Sequence, residues 1–362
     1  MTMIEQLDKI RIEASRKLDQ SKRSEFGQFM TPSIIASFMS SLFLKAKSAI
    51  RILDPGAGIG SLSIALIDQI YNTKKSGGEI SVTAYEIDEK LLTYLKQNIK
   101  STKSSLLEKK ITLNSIIIDD DFILKEIDSK DKKFTHAILN PPYKKINTDS
   151  DHRRALRKIG QEHVNLYSAF VGKSLELLAK NGQLVAIIPR SFCNGLYYKP
   201  FRKYILENTA IKQIHLFESR THSFKDDDVL QENVIIHLQK GVSQENVIIS
   251  HSSDPNLEDI VEETVSFESI VKNDDPEIFI HIPDITLANI NVVEEICYSL
   301  QDIDVQVSTG PVVDFRVKEY LRANPIDNSM PLLYATHFNG NGIEWPKKSK
   351  KPNSLVINET TL

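Results

Sequence analysis

The chain has 362 residues, of which 41% are hydrophobic and 26% charged, and its formal net charge is −3. These values are ordinary for a soluble globular protein, and a near-neutral net charge excludes no class of ligand because local patches decide binding. Two cysteines, Cys193 and Cys297, are too few for a disulfide scaffold and lie in no metal-ligand spacing. We therefore expect a cytoplasmic protein without a metal site, and no membrane association, since no apolar stretch approaches the roughly 20 residues that span a bilayer.

A glycine turn between a strand and a helix is the first strong signal along the chain. Before it, residues 1–25 carry apolar side chains at helical spacing, and a second helix is predicted over Ser33–Lys45. The run Arg51–Pro55 predicts a buried strand, and the next helix is predicted to begin at Ser61. The turn between them contains Gly56, Gly58 and Gly60. Glycines at this spacing let the backbone turn tightly and approach a ligand closely.

Acidic residues follow the next two predicted strands. The strand Ile80–Tyr85 leads into Glu86 and Ile87, and an acid at this position can accept hydrogen bonds from both hydroxyls of a ribose. The strand Ile111–Ile118 leads into three consecutive aspartates and a phenylalanine. Open α/β sheets bind their ligands at the carboxyl ends of the strands, so these residues predict a ligand site at that edge.

A rigid polar turn follows the fourth predicted strand. The apolar run Ala137–Leu139 is succeeded by Asn140, Pro141, Pro142 and Tyr143, which we call the NPPY turn. Its prolines fix φ and lack N–H groups, so the carbonyl groups of the turn are held stiffly and left to accept. An amide, a rigid carbonyl and an aromatic ring suit a planar base whose amino group needs two acceptors. Two prolines after a strand also open ordinary loops, so this interpretation depends on the polar strand ends upstream.

The order of the remaining elements predicts the domain organisation. Alternating strands and helices continue to about residue 200, the pattern of a doubly wound parallel α/β sheet. The strands Ile211–Phe217 and Val234–Leu238 are predicted to form an antiparallel hairpin that closes the sheet. We predict one domain over residues 1–240 and a more strand-rich region over 241–362. That second region stops without a clear terminal element, which favours a truncated chain.

These residues, in this order, resemble the gamma-class DNA adenine-N6 methyltransferases of restriction-modification systems, which transfer a methyl group from S-adenosylmethionine (SAM). The likeness runs from Phe26 to Leu238, and the carboxyl-terminal third is similar to the PstI-type branch. The resemblance implies the Rossmann-like sheet of SAM-dependent methyltransferases for residues 1–240 and a target-recognition region for 241–362. It also implies double-stranded DNA as the substrate and a separately encoded restriction endonuclease as a partner system.

The resemblance implies roles for individual residues. Thr31 lies in the stretch that resembles the amino-terminal SAM motif, although Thr31 or Ser33 can equally cap the following helix. Asp54 is expected to meet the cofactor's amino group, to order the glycine turn, or both. Asp121 is preferred to its neighbouring aspartates only because a phenylalanine follows it. The implied cofactor-binding residues are Thr31, Asp54, Gly56, Gly58, Gly60, Glu86, Ile87, Asp121, Phe122 and Asn140, and the implied catalytic residues are Asn140, Pro141, Pro142 and Tyr143.

The implied reaction needs acceptors rather than a metal or a base. Accepting both N6 hydrogens of adenine, at the Asn140 side-chain oxygen and the Pro141 carbonyl, would localise the lone pair that attacks the methyl group. The adenine must first be flipped out of the duplex at a cost of a few kcal/mol. Stacking is worth about 1–3 kcal/mol per base, so Tyr143 and the downstream Phe224 are expected to offset that cost.

A basic segment, residues 144–163, follows the NPPY turn directly and is predicted to contact DNA phosphates, although an ordinary solvated loop has the same composition. Its candidates are Lys144, Lys145, Arg153, Arg154, Arg157 and Lys158. Two alternatives remain open: an NPPY methyltransferase that acts on RNA bases or protein glutamine, and a non-catalytic DNA-specificity protein. The long downstream region disfavours the first alternative, and the intact glycine and NPPY turns disfavour the second.

Overall fold

The computed structural model describes residues 3–17, 30–44, 49–73, 77–108, 110–126, 134–217, 232–283, 285, 298, 300–307, 310, 312–340, 342–359 and 361. The chain divides into two compact units, residues 1–290 and residues 291–362. None of the described helices has both the length and the apolar character needed to cross a membrane.

The first unit alternates helices and strands. Its described helices are α1 (Met3–Lys17), α2 (Ser33–Ser41), α3 (Ser61–Thr73), α4 (Glu89–Leu107), α5 (Asp151–Lys158), α6 (Leu166–Leu177), α7 (Lys199–Asn208) and the short α8 (Phe267–Ile270). Its described strands are β1 (Ile50–Pro55), β2 (Gly78–Glu86), β3 (Ile111–Asp119), β4 (Phe134–Leu139), β5 (Leu178–Pro189), β6 (Thr209–Phe217), β7 (Asn233–Lys240), β8 (Val247–Ser252) and β9 (Val261–Val265).

These strands form one nine-stranded sheet in the order β3-β2-β1-β4-β5-β7-β6-β8-β9. Strands β1 to β5 are parallel, β7 runs antiparallel to both of its neighbours, β8 is parallel to β6, and β9 is antiparallel to β8. The strand order reverses between β1 and β4. Such a switch point opens a crevice at the carboxyl ends of the two strands, which is where open α/β sheets bind ligands.

Both faces of the sheet are buried, which explains the unbroken apolar runs in its central strands. Leu53 and Leu139 point to the face covered by α6 and α7, in a core that includes Tyr167. Their neighbours Ile52 and Ile138 point to the opposite face, in a core formed with α2, α3 and α4. Successive side chains of a strand alternate between faces, so each apolar run supplies both cores.

The predicted doubly wound sheet is confirmed, with two differences in its second half. The strands β6 and β7 pair in antiparallel fashion as predicted, but they do not close the sheet, because β8 and β9 extend it beyond β6. The first compact unit consequently continues past residue 240, where the sequence pattern placed the end of the catalytic domain. The second difference is the start of β5. This strand begins at Leu178, directly after α6, and Asn181 within it takes a positive φ of 65°.

The described part of the second unit is built around a small antiparallel sheet. Its strands are β10 (Leu321–Arg322), β11 (Ser329–Pro331) and β12 (Ser354–Val356), with β12 in the middle. Asn353 links the surrounding loops, because its side-chain nitrogen donates to the carbonyls of Ala323 and Lys347 at 2.7 and 2.9 Å. The strands predicted for this region therefore exist, but they are short.

Arg202 braces the segment that follows β5. This arginine of α7 is fully buried, with a relative exposure of 0%. Its guanidinium donates to the carbonyls of Phe192, Gly195 and Glu277 at 2.7 to 3.2 Å. It also lies 5.0 Å from the centre of the Phe279 ring. One side chain thus ties two irregular segments to the helix.

Substituting Arg202 with methionine is expected to destabilise the fold strongly. The methionine keeps the apolar packing but removes the guanidinium donor from the buried Phe192 carbonyl and the partly buried Glu277 carbonyl, at a cost of about 2 kcal/mol or more, while the Gly195 carbonyl still accepts from the Tyr198 N–H. Equilibrium unfolding in urea measures the loss. The control is Lys203→Ala on the same helix, which removes an exposed pair with Glu207 at 3.8 Å and should cost less than about 1 kcal/mol. Equal stabilities of the two variants would contradict the bracing role.

Candidate active site

A cavity of about 360 Å³ lies at the switch point of the sheet. Four strand ends build its wall, in agreement with the position predicted from the sequence. They contribute Gly56–Ile59 after β1, Glu86 and Ile87 at the end of β2, Asp120–Phe122 after β3, and Asn140 and Pro142 after β4. Met30 and Thr31 close one part of the wall, and residues 144–147 with Ser150 and His152 close another.

The glycine turn adopts a backbone that only glycine takes without strain. Gly58 and Gly60 have φ values of 58° and 88°. A Cβ atom on Gly60 would stand 2.9 Å from Leu95 Cδ1, so α4 packs directly against the turn. The Gly58 N–H donates to Glu86 Oε2 at 2.7 Å and links the ends of β1 and β2. The turn is therefore fixed before any ligand arrives.

Glu86 is a buried acid in the cavity wall. Its other carboxylate oxygen accepts from the N–H groups of Ile87 and Asp88, both at 2.9 Å. Burial raises the pKa of Glu86, and these backbone hydrogen bonds offset that rise only in part. The carboxylate is held in one orientation at the position where the sequence predicted a contact with a ribose.

Asp54 lies at the end of β1, is 1% exposed, and does not belong to the cavity wall. Its Oδ2 accepts from the Ser63 N–H at 3.2 Å and so holds the start of α3. Its Oδ1 has no hydrogen-bond partner among the described residues. Burial raises the pKa of Asp54 to about 7, and the nearby charge of Glu86 adds to the rise. Asp54 therefore ties the end of β1 to the start of α3, and its expected contact with the cofactor's amino group stays a prediction.

The turn after β3 supplies an aromatic wall. Phe122 is 2% exposed and packs between Tyr85 and Phe170, with ring centres 5.1 and 5.2 Å away, and all three rings line the cavity. The turn is held by Asp121 Oδ1, which accepts from the N–H groups of the two residues after Phe122. Lys173 of α6 donates to two carbonyls of the same turn at 2.9 and 2.7 Å.

The NPPY turn is connected to the amino-terminal part of the cavity. Asn140 Nδ2 donates to Thr31 Oγ1 at 3.0 Å, and the Tyr143 hydroxyl donates to Asn140 Oδ1 at 3.4 Å. The Tyr143 ring stands perpendicular to the Tyr167 ring at a centre distance of 6.1 Å. Burial raises the pKa of Tyr143, so the phenol stays neutral. Pro141 is buried, and Pro142 belongs to the cavity wall.

Comparison with known proteins identifies the family of the chain. The family model described as Eco57I restriction-modification methylase matches residues 26–224, more than half of the chain. The chain is 47% identical to Type II methyltransferase M.BsuBI of Bacillus subtilis, over 99% of this chain and 72% of that protein. It is 42% identical to Type II methyltransferase M.PstI of Providencia stuartii, over 98% of this chain and 71% of that protein.

The chain belongs to the Eco57I restriction-modification methylase family. Its fold is that of the SAM-dependent methyltransferases. A solved structure of this fold is the methyltransferase subunit of a type I restriction-modification system from Streptococcus thermophilus, with a TM-score of 0.52 and 18% identity, covering 71% of this chain and 59% of that one. The family predicted from the sequence is thus confirmed.

Family and fold support SAM as the methyl donor, and the cavity of this methylase fits such a group. Gly56 and Gly58 leave room for close approach at the wall, where a side chain would intrude. Glu86 is an oriented acceptor beside them, and Phe122 offers an apolar surface to an adenine ring. Asp54 lies outside the cavity wall and takes no part in this fit.

The basic segment of the methylase, residues 144–163, is a structured part of the fold. It contains α5, and both of its ends are pinned, because Ile146 N donates to Val164 O at 2.9 Å and Leu166 N donates to Lys144 O at 2.8 Å. Arg153 is only 8% exposed, donates to the carbonyl of His163, and pairs with Glu162 at 3.3 Å. A phosphate contact by Arg153 would require these interactions to be exchanged, and its assignment as a DNA contact stays a prediction.

The other five basic candidates of the methylase are exposed. Lys144 and Lys145 line the cavity, whereas Arg154, Arg157 and Lys158 pair with acids at 2.5 to 3.4 Å. Phe224 lies outside the described residues, so its stacking role stays a prediction. The sequence reasoning missed His152, Tyr85, Phe170 and Lys173. Of these, Tyr85 carried a signal in the sequence, because it directly precedes Glu86.

The raised pKa of Asp54 predicts a pH-dependent stability. Its folded-state pKa of about 7 lies above the ordinary aspartate pKa of 3.8, so the folded state holds this proton more tightly and loses stability as pH rises from about 4 through 7. Asp54→Asn removes this loss, and the variant should be more stable than the wild type at pH 8, by up to about 4 kcal/mol. Thermal unfolding of both proteins without ligand at pH 5 and pH 8 measures the difference. A stability difference that is equal at the two pH values would contradict the assignment.

Proposed function

We propose that the protein is a site-specific DNA adenine-N6 methyltransferase of a Type II restriction-modification system. It transfers the methyl group of SAM to an adenine flipped out of double-stranded DNA, and it protects that DNA from a separately encoded endonuclease. The observation that carries the proposal is the shared cavity, in which Asn140 of the NPPY turn lies with the glycine turn and Glu86.

Asn140 is the central acceptor in this proposal. Its Nδ2 donates to Thr31, so the amide offers Oδ1 as its acceptor. The hydrogen bond from the Tyr143 hydroxyl to Oδ1 is long, at 3.4 Å, so an adenine amine competes well for that oxygen. The second N6 hydrogen goes to the Pro141 carbonyl, which the proline ring holds stiffly.

These two acceptors act mainly in the transition state. They draw the N6 hydrogens out of the plane of the ring and localise the lone pair on nitrogen. As the nitrogen gains positive charge, both hydrogen bonds strengthen, which is how preorganised acceptors lower a barrier. SAM, when bound, supplies a methyl group that needs no further activation. The chain therefore contributes by aligning the N6 nitrogen with the methyl group. The N6 proton leaves after the transfer without a dedicated base.

The DNA is proposed to approach the edge of the sheet where the cavity opens. Lys144 and Lys145 are exposed at the cavity wall and suit phosphates next to the flipped nucleotide. The exposed cations of α5 contact the backbone further away, after exchanging their acidic partners for phosphates. Tyr143 and Phe224 stack on the flipped adenine. We favour DNA over RNA or protein as the substrate because the similar proteins M.BsuBI and M.PstI are Type II methyltransferases.

Substitution of Asn140 tests the proposal. With tritiated SAM and unmethylated plasmid, the wild type should label the DNA, and Asn140→Ala should lower kcat by about 100-fold or more, because one preorganised hydrogen-bonding partner of the transition state is lost. Resistance of the plasmid to restriction enzymes after expression identifies the methylated site, and mass spectrometry of digested nucleosides identifies the modified base.

Asn72→Ala provides the control, because Asn72 is an exposed residue of α3 that bonds only to Asp68 on the same helix. That variant should methylate like the wild type. Label in RNA or protein, methylcytosine in place of N6-methyladenine, or full activity of Asn140→Ala would each contradict the proposal.

A further inference from the structure

The Asp121 carboxylate at the cavity wall is hydrogen-bonded to His152, a residue that follows the NPPY turn in the chain. His152 Nε2 lies 2.9 Å from Asp121 Oδ2, and the two residues are separated by 31 positions in the chain. Both line the cavity. His152 belongs to the first turn of α5, within the pinned segment that follows the NPPY turn. The contact therefore connects the turn after β3 with the segment after β4.

The two oxygens of Asp121 have different tasks. Oδ1 accepts from the N–H groups of Ile123 and Leu124 at 2.7 and 3.0 Å and is committed to the turn. Oδ2 is held by His152, which is itself partly buried, with 30% of its side chain exposed. An acceptor for a ligand amine at this residue is thus Oδ2, and its direction depends on the imidazole.

The neighbouring carboxylate provides a natural comparison. Asp120 also lines the cavity, and its Oδ2 pairs with Lys125 at the same distance, 2.9 Å. Lys125 is an exposed side chain of the turn itself and does not belong to the cavity wall. Two adjacent acids therefore each have one basic side-chain partner at 2.9 Å, but only His152 shares the cavity with its acid.

The electrostatics agree with an oriented, ionised Asp121. Burial alone would raise the pKa of Asp121, but His152 and the two backbone N–H groups hold it below its usual value. The hydrogen bond to Asp121 raises the pKa of His152 against the effect of burial. The nearby charges of Asp151 and Lys144 act on His152 in opposite directions. An ionised carboxylate accepts hydrogen bonds but donates none, so it suits an amine and not a carbonyl at the same position of a ligand.

We propose that His152 is a positioning residue that directs the Asp121 carboxylate toward the amino group of the cofactor's adenine ring. It governs how tightly the cofactor binds and how well adenine is distinguished from hypoxanthine, rather than the rate of methyl transfer. This inference rests on the proposed function in taking SAM as the cofactor and Asp121 as the acceptor for its ring amine.

Calorimetric binding of S-adenosylhomocysteine to the protein without DNA tests the inference. His152→Ala should weaken binding roughly tenfold, because a misdirected Asp121 carboxylate loses most of its hydrogen bond with the ligand's ring amine. His152→Gln keeps an N–H donor and should restore affinity to within about threefold of the wild type. The matched control Lys125→Ala removes the equivalent 2.9 Å partner of Asp120 and should leave affinity within about twofold.

Two further measurements separate positioning from a structural role. S-inosylhomocysteine carries a carbonyl in place of the ring amine, so the wild type should bind it more weakly than S-adenosylhomocysteine, and His152→Ala should lose much of that difference. In methylation assays, His152→Ala should raise KM for SAM with kcat within about threefold of the wild type. Thermal unfolding without ligand reports whether each variant is folded.

Several results would overturn the inference. They are wild-type affinity in His152→Ala, an equal loss in His152→Gln, a larger loss in Lys125→Ala, and unchanged discrimination between the two ligands. If the wild type binds S-adenosylhomocysteine but does not methylate DNA, the proposed function fails while the binding series still decides the role of His152. If the wild type does not bind S-adenosylhomocysteine, both proposals fail.

Discussion

The parallel pairing of β1 with β4 is the constraint on which the site depends. Ile52 lies opposite His136 and Leu53 opposite Ala137, so both strands end at nearly the same level, at Pro55 and Leu139. A slip of one residue would turn every side chain to the other face of the sheet. Because both faces are apolar cores, that slip is strongly disfavoured. The packing of the sheet thus fixes the distance between the glycine turn and the NPPY turn.

Burying the ionised acids around the glycine turn lowers the stability of the protein without a ligand. Asp54 and Glu86 are both buried, and burial raises the pKa of each. Their charges also repel, since Glu86 contributes to the raised pKa of Asp54. A low-dielectric site that disfavours its own negative charge attracts a cation more strongly than water-exposed acids would.

Much of the first unit was predictable because its strands are apolar on both faces and end in polar residues. The strands β1 to β4 and the residues at their carboxyl ends were located from the sequence. Most of these residues share one cavity in the structure, but Asp54, Gly60, Pro141 and Tyr143 do not belong to its wall. The position of β7 between β5 and β6, and the addition of β8 and β9, depend on pairing between distant segments that no local pattern specifies.

The sequence also did not reveal the surroundings of individual site residues, again because these depend on contacts between distant segments. Arg153 and Arg154 are adjacent in sequence, and composition treats them alike. The helical turn of α5 buries one and exposes the other. His152 had no recognisable spacing because its partner, Asp121, belongs to another strand end. Contacts of this kind depend on the tertiary arrangement, and single residues in them are visible only after the fold is known.

The ion pairs on and around α5 have a consequence for binding a polyanion. Arg154, Arg157 and Lys158 already have acidic partners, namely Asp151, Glu162 and Glu126. Contact with a phosphate exchanges one ion pair for another, so the electrostatic gain is smaller than that of three bare cations. The released carboxylates then face the incoming negative charge. We therefore expect this face to bind a polyanion weakly unless contacts elsewhere on the protein also hold that polyanion in place.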